Sequence, residues 1–159
     1  MRQLKGQRWA PMLMAIAMVV AMMGWGCSSG PSVPDASPMP EGEDYSGMWY
    51  SEQFEHMFLK QEGDEVVGVY TYQGGGSIEG RVEGNLLLFD WYEPGDRQRA
   101  RRSMEGKGYF QLRGGQEGPE LEGQWGYRGD RQGAGPWNAE WIRDLEDRDP
   151  LDLSALSGN

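Results

Sequence analysis

The chain has 159 residues, with 25 acidic and 15 basic side chains that give a formal net charge of −10 at pH 7. A strongly acidic protein is a poor partner for nucleic acid, so we expect no nucleic-acid binding. One histidine and one cysteine exclude a His/Cys metal cluster and an intrachain disulfide.

Residues 1–26 have the features of an export signal. Three basic residues occur in the first eight positions, and an apolar run follows over residues 9–25. The densest part of this run, residues 12–23, is 12 residues long, a length typical of a signal peptide. An uncleaved membrane anchor is the alternative, because the full 17 residues reach the lower limit for a spanning helix. Removal of the signal would leave a net charge of −13, since it takes away three basic residues and no acidic one.

The only cysteine, Cys27, comes directly after this run and is followed by Ser-Ser-Gly. With Gly26 in front of it, the arrangement resembles the lipobox of bacterial lipoproteins, although Gly24 and Trp25 depart from that motif. The resemblance implies cleavage before Cys27, a diacylglycerol on its thiol and an N-acyl chain such as palmitate on its amino group. Two or more chains give stable membrane attachment. In diderm bacteria, the same resemblance implies that Ser28 after the cysteine, in place of Asp, favours the outer membrane. An inert cysteine at the end of the signal is the alternative.

Two segments are expected to flank the folded part. Residues 27–44 contain four prolines and four serines, which indicates a disordered tether that begins at the lipidated cysteine. Residues 144–159 are acidic and end in small polar side chains, so we expect a mobile tail. Because this segment contains leucines, a short helix packed against the domain is the alternative. The remaining segment, residues 45–143, is long enough for one small domain with a single core.

Residues 45–143 show alternating apolar and polar positions interrupted by glycine-rich turns, which is typical of β-strands. We predict eight short strands, over about residues 47–51, 56–61, 65–72, 77–83, 85–92, 106–112, 120–127 and 137–143. Short links between consecutive strands favour an all-β fold, a single up-and-down antiparallel barrel formed by a closed meander. An open meander with an exposed edge is the competing architecture.

Four of these strands share a pattern in which every second residue is apolar or glycine. The triplets are Val66-x-Gly68-x-Tyr70, Ile78-x-Gly80-x-Val82, Leu87-x-Phe89-x-Trp91 and Leu121-x-Gly123-x-Trp125. Because alternate side chains lie on the same face of a strand, each triplet is expected to point into the barrel. Phe89 replaces the central glycine of the other triplets, which predicts a fuller interior at that strand.

The segments GMWY, VVGVYTY, FDWYE and LEGQWGY carry a resemblance that covers residues 47–141. They resemble a glycine- and tryptophan-rich β-barrel pattern of exported bacterial proteins. They are also similar to avidin and the lipocalins, which open with a Gly-x-Trp strand and continue into Gly-x-Tyr. The resemblance implies a small barrel, and it assigns no ligand-binding residue to this chain.

No motif for catalysis is present in the sequence. His56 is the only histidine and lies near the start of a predicted strand, away from any serine motif. The carboxylates of the domain, Asp64, Glu65, Asp90, Glu93 and Glu140 among them, fall at predicted turns or on the outward face. We therefore expect an exposed acidic surface, no catalytic residue, no metal site and no cofactor apart from the covalent lipid.

Six aromatic residues are candidates for a ligand-binding surface at the mouth of the barrel, with an apolar wall and a few hydrogen-bond donors. They are Trp49, Tyr70, Trp91, Trp125, Trp137 and Trp141. The alternative, which we favour, is that they fill the interior, because an eight-stranded barrel is only just wide enough for its own side chains or one small ligand. The glycines around Ala134 suggest a flexible loop over that end.

The run DRQRARR is the one basic segment of the domain, and it provides Arg97, Arg99, Arg101 and Arg102. It can contact an anionic partner, such as an envelope protein, a polysaccharide or lipid head groups. The alternative, which we favour, is local pairing with Glu93, Asp96 and Glu105.

Taken with the signal, these features predict an exported, membrane-anchored lipoprotein of the bacterial envelope with a non-enzymatic binding or structural role. A carrier of a small apolar ligand inside the barrel is the second hypothesis. A hydrolytic enzyme that uses carboxylates is the least supported.

Overall fold

The computed structural model describes residues 32–151, in which one antiparallel sheet closes on itself to form a barrel. The strands are β1 Gly47–Ser51, β2 Glu55–Glu62, β3 Glu65–Tyr70, β4 Gly76–Glu83, β5 Leu86–Glu93, β6 Met104–Gly114, β7 Pro119–Tyr127, β8 Gly135–Pro136 and β9 Ala139–Arg143. A single 3-10 turn, Tyr72–Gly74, links β3 to β4. Within residues 32–151, no helix is long and apolar enough to cross a membrane.

Consecutive strands from β1 to β7 pair with one another, and β9 pairs with β1 to close the barrel. β8 and β9 behave as one eighth strand, because both keep the same register against β7. Between them, the Trp137 amide donates to the Gly123 carbonyl at 2.9 Å, and the Asn138 side chain accepts from the Gly123 amide at 3.1 Å. The predicted eight-stranded up-and-down barrel is therefore confirmed, and the open meander is excluded.

Side chains from the predicted triplets fill the interior of the barrel. Phe89 illustrates how they fit, because its cross-strand neighbours are Gly80 on β4 and Gly108 on β6. A Cβ atom on Gly108 would overlap the Phe89 ring, and one on Gly80 would lie 2.8 Å from the Phe89 Cβ. Glycine on both neighbouring strands thus makes room for the Phe89 ring. The ring fills the interior at β5, as the sequence predicts.

One end of the barrel is closed by the segment that leads into β1. Tyr45 is fully buried there, and its hydroxyl donates to the carbonyl oxygens of Asn85 at 2.7 Å and Phe110 at 3.0 Å. The Asn85 side chain donates in turn to the Leu112 carbonyl at 3.0 Å. Burial raises the pKa of the Tyr45 phenol above its usual range. We call this the closed end.

Part of the predicted linker is bound to the closed end. Residues 32–44 contain no strand or helix, yet Ser37 exchanges two hydrogen bonds of 2.8 Å with the backbone amide and side-chain oxygen of Asn85. The Asp35 carbonyl accepts from the Gln111 side chain at 3.3 Å, and Met39 packs against the core. Residues 35–40 are therefore not a freely moving linker, because hydrogen bonds and apolar contacts hold them against the barrel.

The first part of the predicted tail folds back on the end of β9. Arg143 donates to both carboxylate oxygens of Asp149 at 2.9 and 2.8 Å, and the Glu146 amide donates to the same carboxylate at 2.7 Å. These donors lower the pKa of Asp149 to about 2. Residues 144–151 form no helix. The predicted signal peptide, the predicted lipid attachment at Cys27 and the end of the tail, residues 152–159, lie outside the described residues.

Candidate ligand-binding site

The end of the barrel opposite the closed end contains a cavity of about 360 Å³, which we call the mouth pocket. It is lined by the links after β1, β3 and β7 and by the adjoining ends of β5 and β6. An up-and-down barrel places alternate links at the same end, so the links after β1, β3, β5 and β7 meet there. The walls of the pocket include six aromatic rings, those of Phe54, Tyr70, Tyr72, Trp91, Trp125 and Tyr127. Its volume falls within the range of about 300–1,000 Å³ that is common for small-molecule sites.

The rings of the mouth pocket form a connected aromatic cluster. Phe54 stacks on the buried Trp137 with a centroid separation of 3.9 Å, which joins the floor of the pocket to the core. Trp125 lies edge-on to Phe54 and to Trp91, each at 5.5 Å, and to Tyr127 at 5.0 Å. Edge-to-face contacts of this kind add stabilisation to that gained from the buried area. The rings therefore hold one another in place without a ligand.

Trp91 is held from two sides. Its indole nitrogen donates to the carbonyl oxygen of Gly126 at 3.1 Å. Its ring lies against Gly106 on β6, where a Cβ atom would come within 2.7 Å of the indole. Glycine at position 106 is therefore required for the orientation that Trp91 has in the pocket wall.

Glu93 brings a carboxylate to this aromatic surface. It is the last residue of β5, and the inward alternation of Leu87, Phe89 and Trp91 continues to it. Only 4% of Glu93 is exposed, and its side chain lines the mouth pocket. The prediction that Glu93 belongs to an exposed acidic surface is wrong, because the strand extends one residue further than predicted and keeps the same face inward.

The two oxygens of the Glu93 carboxylate have different surroundings. Oε1 accepts a hydrogen bond of 3.1 Å from the hydroxyl of Tyr70. Oε2 is buried and has no hydrogen-bond partner within residues 32–151, and its nearest cationic group, Nη1 of Arg101, lies at 3.8 Å. Burial and the negative charge of Glu93 together raise the pKa of the Tyr70 phenol, so this hydroxyl remains a donor.

The structure separates the six predicted aromatic candidates. Tyr70, Trp91 and Trp125 line the mouth pocket. Trp137 lies beneath it, and Trp49 is fully buried, with its indole nitrogen 3.0 Å from the Tyr45 carbonyl. The remaining candidate, Trp141 on β9, is half-buried beside Gly47 and lies outside the pocket. Three candidates therefore belong to the site, and two belong to the filled interior.

The predicted arginine segment lies in the link between β5 and β6, beside the mouth pocket. Arg101 is half-buried and approaches Glu93, whereas Arg99 pairs with Asp96 at 3.6 Å. Arg97 and Arg102 are exposed. The local pairing that we favoured is thus present for two of the four arginines.

Other candidate groups are away from the pocket. His56 is exposed and lies edge-on to Tyr50 at 5.4 Å. Asp64, Glu65, Asp90 and Glu140 are exposed, as predicted. Within the described part of the chain, no group of three or more His, Cys, Asp or Glu side chains is arranged to hold a metal ion.

Several residues of the site were not predicted from the sequence. They are Gln53, Phe54, Tyr72, Gln73, Glu93, Met104 and Tyr127. The continued alternation of β5 could have identified Glu93, and that of β7 could have identified Tyr127. The others lie at strand ends or in links, where no periodicity indicates which way a side chain points. Ala134 and Gly135 do line the pocket, as expected of a loop over this end.

Comparison with known proteins gives no relative from which to transfer a function. The chain matches no known protein family, no curated protein and no solved structure.

Proposed function

We propose that this protein is an exported lipoprotein of the bacterial envelope, anchored through Cys27, whose barrel binds a small molecule in the mouth pocket without transforming it. The export signal and the lipobox resemblance support the anchor. The aromatic mouth pocket with one buried carboxylate carries the binding role, because a few polar groups set in an apolar wall are characteristic of small-molecule sites.

The mouth supports this role better than the interior does. The core beneath the pocket is occupied by fully buried side chains such as Trp49, Phe110 and Trp137. A ligand deep in the barrel would have to displace rings that already pack against one another. The carrier hypothesis is therefore refined to a ligand that rests at the open end on Phe54, which covers the buried Trp137.

Binding also has more support than hydrolysis. Within residues 32–151, Glu93 is the one carboxylate that lines the mouth pocket. Carboxylate-based hydrolysis uses two carboxyl groups, one as acid and one as base or nucleophile. A single carboxylate held by Tyr70 is better suited to orienting a ligand than to performing that chemistry.

A matched pair of substitutions tests the binding site. Ala134→Trp places an indole at the wall of the mouth pocket, whereas Ala36→Trp adds the same group to an exposed position at the closed end. We expect protein purified under native conditions from its own host to carry a small molecule detectable by mass spectrometry. Ala134→Trp should lose it, and Ala36→Trp should retain it. Equal retention by both variants would show that the mouth pocket is not the site.

The anchor is tested separately. We expect Cys27→Ala to remain in the uncleaved form and the wild-type protein to gain the mass of the acyl chains and lose residues 1–26. An unmodified wild-type protein at the mass of the precursor would instead support an uncleaved membrane anchor.

A further inference from the structure

We infer that the ligand of the mouth pocket carries a protonated amine, which donates a hydrogen bond to Oε2 of Glu93 while its apolar part lies against the aromatic wall. This inference rests on the proposed function, because it names the chemical class that the same pocket selects. It follows from three features of the open end, which are the unsatisfied oxygen, the surrounding rings and the position of Arg101.

The unsatisfied oxygen is the first feature. Buried polar atoms in proteins are nearly always hydrogen-bonded, and an exception calls for an explanation. Only two buried side-chain atoms of residues 32–151 have no partner, namely Oε2 of Glu93 and Oε1 of Gln132. Of these two residues, Glu93 alone lines the mouth pocket. A donor brought by a ligand would complete its hydrogen bonding.

The charge of that donor follows from the chemistry around it. A hydrogen bond between an ammonium and a carboxylate is about twice as strong as one between neutral groups. The faces of tryptophan, tyrosine and phenylalanine rings attract cations, and Trp91 and Trp125 stand beside Glu93 in the pocket wall. The net charge, −10 for the full sequence and −13 without the predicted signal, also favours the approach of a cation over that of an anion.

Arg101 is the internal competitor for this position. Its distance of 3.8 Å from Oε2 is too long for a hydrogen bond, and its contact to Gln73 at 3.4 Å is also long. Its hydrogen bond to the Pro94 carbonyl, at 3.2 Å, is at the upper end of the usual range. It comes from an exposed link, so it can turn toward water when a ligand enters. An ammonium nitrogen can then approach Oε2 to hydrogen-bond distance, which Nη1 of Arg101 does not reach.

Four small phenyl compounds of similar size test the inference, measured by titration with NMR detection at pH 7. Phenethylamine is a cation, 2-phenylethanol is a neutral donor, 3-phenylpropionate is an anion and propylbenzene has no polar group. We expect the wild-type protein to bind phenethylamine roughly tenfold more tightly than 2-phenylethanol, as a charged hydrogen bond predicts.

The variants assign that preference to Glu93. Glu93→Gln keeps the shape and the Tyr70 contact, and it should remove most of the preference for the amine. Glu79→Gln, an exposed charge removal on the outward face of β4, should leave it unchanged. Arg101→Gln removes the competitor and should raise the affinity for phenethylamine roughly threefold. If Glu93→Gln does not fold, the comparison of Arg101→Gln with Arg102→Gln decides, because Arg102→Gln removes the same charge from an exposed position of the link and should leave the affinity for phenethylamine unchanged.

Equal binding of the amine and the alcohol by the wild-type protein would overturn the inference but leave the mouth pocket as a binding site for apolar ligands. Tightest binding of 3-phenylpropionate would overturn it in favour of an anion held by Arg101. Failure of the proposed function has a different signature, since in that case Ala134→Trp would have no effect on the molecule retained from the host.

Discussion

Each end of the barrel contains a buried tyrosine whose hydroxyl is hydrogen-bonded, but the acceptors differ. At the closed end, Tyr45 donates to backbone carbonyls, and the neighbouring Asn85 side chain has a partner for both its oxygen and its nitrogen. At the open end, Tyr70 donates to Glu93, whose second oxygen has no partner within residues 32–151. The closed end thus has the complete hydrogen bonding expected of a structural plug, whereas the open end keeps one buried acceptor without a hydrogen bond.

This difference predicts that substitutions at the two ends affect different properties. Removing a group from the closed end breaks contacts that exist in the folded protein, so it should lower the free energy of unfolding. Removing one from the open end should change ligand binding more than stability.

The largest effect is expected at Tyr45. Tyr45→Ala removes a fully buried ring and should lower the free energy of unfolding by about 3–5 kcal/mol, as aromatic-to-alanine changes in cores do. Tyr72→Ala, which removes a half-buried ring at the pocket rim, should cost about 1 kcal/mol or less. Urea unfolding of both variants measures the difference, and equal losses would contradict the contrast between the two ends.

A smaller loss is expected at Asn85. Asn85→Ala removes the acceptor of the Ser37 amide and the donor to the Leu112 carbonyl, so we expect a loss of about 1–3 kcal/mol. The amide of Ser37 should also exchange with solvent deuterium much faster than in the wild-type protein. Unchanged exchange at Ser37 would show that residues 35–40 are held by other contacts.

Glu93→Gln should change stability by no more than about 1 kcal/mol in either direction. The glutamine can still accept from Tyr70, and burying a neutral amide costs less than burying a charge with an unsatisfied oxygen. Arg101 loses its partner, but as part of an exposed link it can turn toward water. A loss above about 2 kcal/mol would identify Glu93 and Arg101 as a structural ion pair and remove the contrast between the ends.

The smallest effect concerns the turn after β9. Because Arg143 and the Glu146 amide lower the pKa of Asp149 to about 2, this carboxylate favours the folded turn at any pH above its ordinary pKa near 3.8. That contribution is lost as pH falls from about 4 through about 2. A pH titration of the Asp149 carboxyl carbon and the Glu146 amide by NMR should show the two signals moving together, with the barrel signals unchanged. Ordinary titration near 3.8 would show that the turn does not form in solution.

The barrel could be predicted from the sequence because its core is periodic. Val66, Gly68 and Tyr70 lie on one face of β3, and the same spacing in three other strands identifies most of the interior. The mouth pocket could be predicted only in part. Trp91 and Trp125 continue the strand pattern, whereas Phe54 and Tyr72 lie in links and reach the pocket through turns that composition does not specify.

The contacts of Ser37 and Met39 also determine where a stable fragment of this protein can begin. Composition alone places the start of the domain at Tyr45, since the residues before it are rich in proline and serine. A fragment cut there would expose the core surface that Met39 covers and would leave the Asn85 side-chain oxygen without the Ser37 amide. The folding unit therefore extends at least to Asp35, and a water-soluble form for ligand titrations should be truncated before that residue.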